Sequence, residues 1–283
     1  MGQAQDLVQK IQEEFRSGKL ELPSLPEVVV KINKYVGDPD VNLASIAKII
    51  QLDPALSARL IQISNSPLYR RQTSVNDCRS AIARLGLTTT RNLVTSFTLQ
   101  RHFDMKTPVI RDIARAIWQH SSEVAAIAYV LAKLTKGMQP DKALLAGLVH
   151  NIGSLPILRY ATEYRDLQNN RKLLNEIIDK LGARLGKAIL THWSFDMDMI
   201  DIPMELNNYD YRPDDNPNYV DIVIVAYLHS QFGKSKQEQA AGLHEVASFR
   251  KLPMFQIGPD ASIEVLYEAR DEINTMMKML MAA

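Results

Sequence analysis

Apolar residues recur at intervals of three and four along almost the whole chain, while alternating β-branched runs are short. A 3.6-residue repeat buries one face of a helix, whereas a half-buried strand needs a repeat of two. The chain is therefore expected to be all-α. Leu7, Val8, Ile11 and Phe15 share a face, and Gly18 stops that helix. Leu22-Pro23-Ser24-Leu25-Pro26 is a stiff entry to a second helix that starts at Pro26 and buries Val28, Val29, Ile32 and Tyr35-Val36. Gly37-Asp38-Pro39-Asp40 has turn chemistry. Asn42 and Asp53 stand where N-caps belong, and Pro54 suits the first turn after Asp53. Asn65-Ser66-Pro67 breaks the helix that follows, and Gly86 separates helices expected over Cys78–Leu85 and Thr89–His102.

Lys106-Thr107-Pro108 has the composition of a joint. Two helical lobes are expected: an N-terminal helical bundle over 1–106 and a second lobe over 107–283. The second opens with a long helix from Val109 to Lys136, interrupted by Gly137 and Pro140. The next, Asp141 to His150, is apolar on most sides, as befits the centre of a domain. Further helices are expected over Asn175–His192 and Val220–Phe232, with an irregular Asn207–Pro217 stretch between them. A last helix from Ser262 to Met281 carries Ile263, Leu266, Ile273, Met277 and Leu280 on one stripe, interrupted by Arg270. Such a stripe suits a coiled-coil partner. Its shortness makes packing on its own domain the plainer expectation.

Lys and Arg total 33 against 32 Asp and Glu, so the formal charge is +1. No global field draws the chain to nucleic acid or acidic lipid. Cys78 is the single cysteine, which excludes an internal disulfide and a cysteine zinc cluster. No apolar run approaches the roughly 18 residues of a membrane span, and the first residues lack a basic and apolar leader. A cytoplasmic protein with no nucleic-acid or membrane partner is expected.

Chemistry concentrates on two histidines. His120 lies within the long helix, and His150 ends the apolar one, in Leu148-Val149-His150-Asn151-Ile152-Gly153. An imidazole at the end of a buried helix needs a partner, be it a metal, a carbonyl or a side chain. Spacing alone favours a satisfied core histidine. Gly147, Gly153, Gly182 and Gly186 do not form a phosphate loop, and close helix packing or caps explain them better. Arg159, Arg184 and Lys187 are in range of a phosphate near His150, and Arg59, Arg70, Arg71 and Arg84 make the first part of the chain partly basic. Solvation is the simpler account of all of them.

Beyond the histidines, Leu22-Pro23-Ser24-Leu25-Pro26-Glu27-Val28, Ile50-Gln51-Leu52-Asp53-Pro54-Ala55-Leu56-Ser57-Ala58-Arg59-Leu60, Asn65-Ser66 and Ala81-Ile82-Ala83-Arg84-Leu85-Gly86 together resemble the HDOD family over about residues 20–233. That resemblance implies a bacterial signalling domain related to the HD-type phosphohydrolases. In those enzymes a helix carries one His, a His-Asp pair followed by Ile-Gly comes about thirty residues later, and a last Asp lies downstream. The four residues hold a divalent metal that activates water against a phosphate ester. His120 matches the first ligand and His150 the second. Asn151 stands in place of the Asp, Tyr227 in place of the last Asp, and Ser154 where catalytic relatives often have Lys. Asn207-Asn208-Tyr209-Asp210 occupies a region that often reads His-His-Asp.

Two carboxylates are thus replaced by uncharged groups. Hard divalent cations need anionic oxygen ligands, and a water on the metal is acidified only by a firmly held cation. Glu123, three residues after His120 on the same helix face, is the candidate to rescue the site; Asp221 points elsewhere on its helix. The expected pocket is vestigial, made of His120, His150, Asn151, Tyr227 and Glu123, with no catalytic residue, no metal and no cofactor. Three functions stay open: a non-catalytic signalling or regulatory module with a protein partner; a pseudoenzyme that binds a nucleotide or other phosphorylated ligand; and an HD-type metal-dependent phosphohydrolase.

Overall fold

Helix starts follow from local side chains. The Asn42 carboxamide oxygen accepts from Ala44 N at 2.9 Å and the Asp53 carboxylate from Leu56 N at 3.1 Å, as their positions lead one to expect. Asp77 does the same for Ser80 N at 2.9 Å. In the computed structural model, residues 2–35, 42–69, 73–165, 167–168, 170–231, 243, 245–253 and 259–281 are described. Val36, the turn at Gly37-Asp38-Pro39-Asp40, the arginines Arg70 and Arg71, and Phe232 lie outside them.

Among the described residues every regular element is helical. The first third carries α1 (Gly2–Arg16), α2 (Glu27–Asn33), α3 (Leu43–Gln51), α4 (Pro54–Ser64), α5 (Cys78–Leu85) and α6 (Leu87–Leu99), the last running into a 3-10 turn (Gln100–Phe103). Then come α7 (Pro108–Leu134), α8 (Pro140–Val149), α9 (Ser154–Ala161), α10 (Arg171–His192), α11 (Met197–Ile200), α12 (Ile202–Glu205), α13 (Tyr219–Gln231), α14 (Ala247–Lys251), α15 (Pro259–Glu268) and α16 (Arg270–Met281).

Three details depart from the sequence expectation, and one helix, α9, is additional to those expected. Pro26 caps α2 from outside rather than opening it. Helix α9 forms despite Gly153 and Pro156, because a proline in the first turn gives up no helical hydrogen bond. Helix α10 starts earlier than Asn175, where the Asn170 side chain accepts from Leu173 N at 3.1 Å. The last helix is two, α15 and α16, divided at Ala269.

Helix α7 is the axis on which the rest is placed. Helices α8, α13 and α16 all pack against it. Met276 and Leu280 bury the apolar side of α16, so this helix packs on its own chain. Side chains from three elements hold its last carbonyls: Arg59 donates to Met279 O at 2.8 Å, Trp118 to Leu280 O at 3.3 Å and Gln100 to Met281 O at 3.4 Å. These are the oxygens a helix end leaves without an internal partner.

One buried apolar cluster from Leu7 to Leu280 runs across the link between the 3-10 turn and α7. Polar contacts cross it too. Asp141, in the first turn of α8, accepts from Thr89 Oγ1 at 2.6 Å and from the Tyr69 hydroxyl, and the Tyr69 ring stands edge-on to Tyr129 at 6.4 Å. Cys78 is buried in the core. Among the described residues no helix is long and apolar enough to cross a membrane.

Candidate functional site

Two glycines bring the site together. A Cβ on Gly147 would lie 2.5 Å from Ala125 Cα and 2.7 Å from Ala125 N, so α8 crosses α7 backbone against backbone. A Cβ on Gly153 would lie 1.9 Å from Gly182 O and 2.5 Å from Gly186 N, so the turn after His150 sits directly on α10. Neither approach leaves room for any side chain. His150, between the two contacts, is held beside His120 of α7.

Three rings then meet almost perpendicularly. His120 and His150 have centroids 5.6 Å apart, His120 and Tyr227 5.6 Å, and His150 and Tyr227 5.8 Å. Tyr227 comes from α13, which lies along α7. His150 is only 3% exposed. Its Nδ1 lies 2.6 Å from Gly147 O and its Nε2 lies 2.7 Å from the Asn151 amide nitrogen. A carbonyl can only accept, so Nδ1 carries the hydrogen and donates. Nε2 is left with its lone pair, which accepts from the Asn151 amide. Both ring nitrogens are satisfied from within the chain, by a carbonyl and a side chain.

The electrostatics agree with this neutral tautomer. Burial takes the His150 pKa down to about 3 against the opposite effect of the Gly147 hydrogen bond, with His120 adding a lesser push downward. Burial also lowers the pKa of half-buried His120 and raises those of Glu123 and Tyr227. The site therefore disfavours charge of either sign.

A divalent metal does not fit this donor set. The lone pair that would face the ion is engaged by an amide, and the third ring contributes a neutral phenol. Among the described residues no three His, Cys, Asp or Glu side chains come together as metal ligands, so Glu123 does not complete a shell with the two histidines. Asp221 is fully buried and paired with Lys251 at 3.1 Å. Ser154 donates to Asn151 O at 2.8 Å, which fixes the turn rather than facing the rings. Of the basic residues within possible reach, Lys187 is paired with Asp201 at 2.6 Å and Arg159 lines a separate cleft with Lys10 and Glu163.

Two features escape sequence reasoning. Gln231, one turn after Tyr227, brings its amide to 3.5 Å from His120 Nε2. Beside it an open cleft of about 690 Å³ is lined by Tyr209, Asp210, Tyr227, Leu228 and Gln231. The i, i+4 spacing of Tyr227 and Gln231 is the one signal that places Gln231 on the same face. The family comparison had drawn attention to Tyr209 and Asp210 only as departures from a motif.

Known proteins share this architecture. A crystal structure of a proposed metal-dependent phosphohydrolase from Shewanella amazonensis SB2B superposes with a TM-score of 0.80 at 28% identity, covering 98% of this chain and 100% of that one. An HDOD domain protein of unknown function from Geobacter sulfurreducens superposes at 0.69 with 21% identity over 98% of both chains, a likeness of fold. An uncharacterized protein of Treponema pallidum (strain Nichols) is 25% identical over 235 residues, which are 77% of this chain; the chain spans only 44% of that relative's length. The HDOD domain matches residues 22–208, beginning at Leu22 as the motifs suggest and ending before Tyr227. By that match, over more than half its length, the chain belongs to the HDOD family.

Proposed function

We propose that this chain is a non-catalytic signalling or regulatory module of a bacterial cytoplasm, acting through a protein partner, with helices before and after residue 107 serving as two lobes. The observation that carries this is the Asn151 amide at 2.7 Å from His150 Nε2. It replaces a metal-binding carboxylate with a donor that consumes the ligand lone pair. The low His150 pKa supports only that this imidazole does not serve as a proton donor to a phosphate ester near neutral pH.

The test is metal analysis of untagged protein together with turnover of phosphomonoesters and phosphodiesters in Mn²⁺, for the native chain and for His150→Ala. No stoichiometric metal and no turnover that depends on His150 are expected. About one Mn, Fe or Mg per chain, with turnover abolished in His150→Ala, would overturn the proposal.

One observation favours a second reading, metal-dependent phosphohydrolysis: the Shewanella neighbour bears that proposed activity at 28% identity over the whole chain. The same measurements decide between the two. A third reading, a pseudoenzyme that holds a phosphorylated ligand, draws on the cleft beside Tyr227 and Gln231. It requires that Gln231→Ala weaken a nucleotide seen by titration calorimetry.

A further inference from the structure

A second pocket lies on the other side of α7. Trp118 lines it, and His120 is two residues on, about 200° around the helix. The pocket encloses about 400 Å³ between α4, the end of α6 and the first turns of α7. Its floor is apolar, made by the buried side chains Leu56, Phe97, Phe103 and Trp118. Four arginines surround that floor, Arg59, Arg101, Arg111 and Arg115, against one acid, Asp104.

These arginines differ in how they are engaged. Arg59 lies over the Phe97 ring at 4.9 Å and holds Met279 O. Arg101 pairs with Asp53. Arg111 and Arg115, one turn apart on α7, have no side-chain acceptor among the described residues. Burial and the charge of Arg101 make protonated Arg59 less favourable, partly offset by the nearby Asp53 carboxylate, so the two cations are close enough to oppose one another. Like charges at i, i+4 oppose helix stability as well. A lone exposed arginine is merely solvated. Arg101 is balanced by Asp53, and Asp104 is the acid of the lining; Arg111 and Arg115, side by side without an acceptor at the edge of an apolar floor, leave positive charge that an anion fills. The guanidinium fork matches phosphate oxygens two at a time. The floor and the volume suit a small organic molecule better than a bare ion.

We propose that this pocket binds a small organic phosphate of nucleotide size, its phosphate on Arg111 and Arg115 and its planar body over the apolar floor. The recognisable run from Asp53 to Arg59 then has a role: it supplies part of the wall and, through Asp53, positions Arg101. The site is independent of the His120–His150 cluster.

Titration calorimetry of the full chain at about 0.15 M salt, with AMP, GDP, GTP and inorganic phosphate as probes, tests it. At least one nucleotide should bind at about one per chain. Inorganic phosphate should bind at least about tenfold more weakly, since it lacks the body that the floor takes up. R111A/R115A should weaken the nucleotide at least about tenfold, R111K/R115K less, because lysine keeps the charge but loses the fork. H150A should leave the affinity within about twofold, because additivity holds for separate sites. Both arginines are exposed, so the double variant should keep its thermal midpoint; if it melts early, the single variant R115E replaces it with the same expected loss. The proposal is overturned if no nucleotide binds at millimolar concentration, if the arginine variants leave binding unchanged, if inorganic phosphate binds as tightly as the nucleotides, or if H150A abolishes binding.

Discussion

Lowering the pH should expose the cost of keeping His150 neutral. The imidazole is 3% exposed, and its pKa falls from an ordinary 6.5 to about 3, mainly through burial. The unfolded chain takes up a proton near 6.5, while the folded chain does not until about 3. Between these values the unfolded state binds more protons, so stability falls as the pH falls. The contribution is fully present above about pH 6.5 and is lost progressively on the way down to about pH 3. From pH 8 to pH 5 the loss from this one group is about 2 kcal/mol. His229, taken down to about 4 by burial, adds a loss of similar size over the same window. Glutamine at position 150 keeps a polar side chain of comparable reach but does not titrate. Urea unfolding of the native chain and of His150→Gln, at pH 8 and pH 5 and equal ionic strength, isolates the effect. Shifted carboxylates elsewhere are common to both proteins and cancel. The pH 8 minus pH 5 difference in unfolding free energy should be smaller by about 2 kcal/mol in the variant. Equal losses in the two proteins would refute the assignment of a neutral, buried His150.

Asn151→Asp removes the amide from His150 Nε2 and adds an anionic oxygen beside two imidazoles; Mn²⁺ should then bind at least about tenfold more tightly than to the native chain by calorimetric titration, and equal affinity would count against the amide as the block. Gly147→Ala places a methyl 2.5 Å from Ala125 Cα; overpacking of about 3 kcal/mol, offset by about 1 kcal/mol of helix propensity, should leave the protein about 2 kcal/mol less stable in urea. Asp141→Ala strips an acceptor from the half-buried Thr89 and Tyr69 hydroxyls; a loss of about 1–2 kcal/mol is expected in the same assay, and a loss under about 0.5 kcal/mol would mean that these contacts do not matter to stability.

Helices and their starts were legible because the causes are local. A cap such as Asn42 or Asp53 acts on a backbone N–H two or three residues away, and a period of 3.6 is visible in any ten residues. The break at Ala269 showed in the sequence only as the interruption of the apolar stripe at Arg270, which suits an exposed position in one continuous helix equally well. Nor was α9 legible, a short helix with Pro156 in its first turn, although Gly153 just before it is the close packing contact that its sequence suggested. At the site, His120 and His150 could be singled out from the sequence, together with the absence of acids at Asn151 and Tyr227. What Asn151 does instead, donating to its neighbour's ring, depends on a turn whose geometry is set by α10.

The order of amino acids alone determined an all-helical chain, its caps, and a charge deficit where an HD enzyme carries carboxylates. Only the tertiary structure decided that three neutral rings close on one another, that Arg59, Trp118 and Gln100 hold the end of α16, and that four arginines share one pocket. The physical reason is range. Helix propensity and capping act within a turn or two, whereas the carbonyls at the end of α16 are held by side chains 162 or more positions away and His150 reaches His120 only because α8 crosses α7 as closely as Gly147 allows.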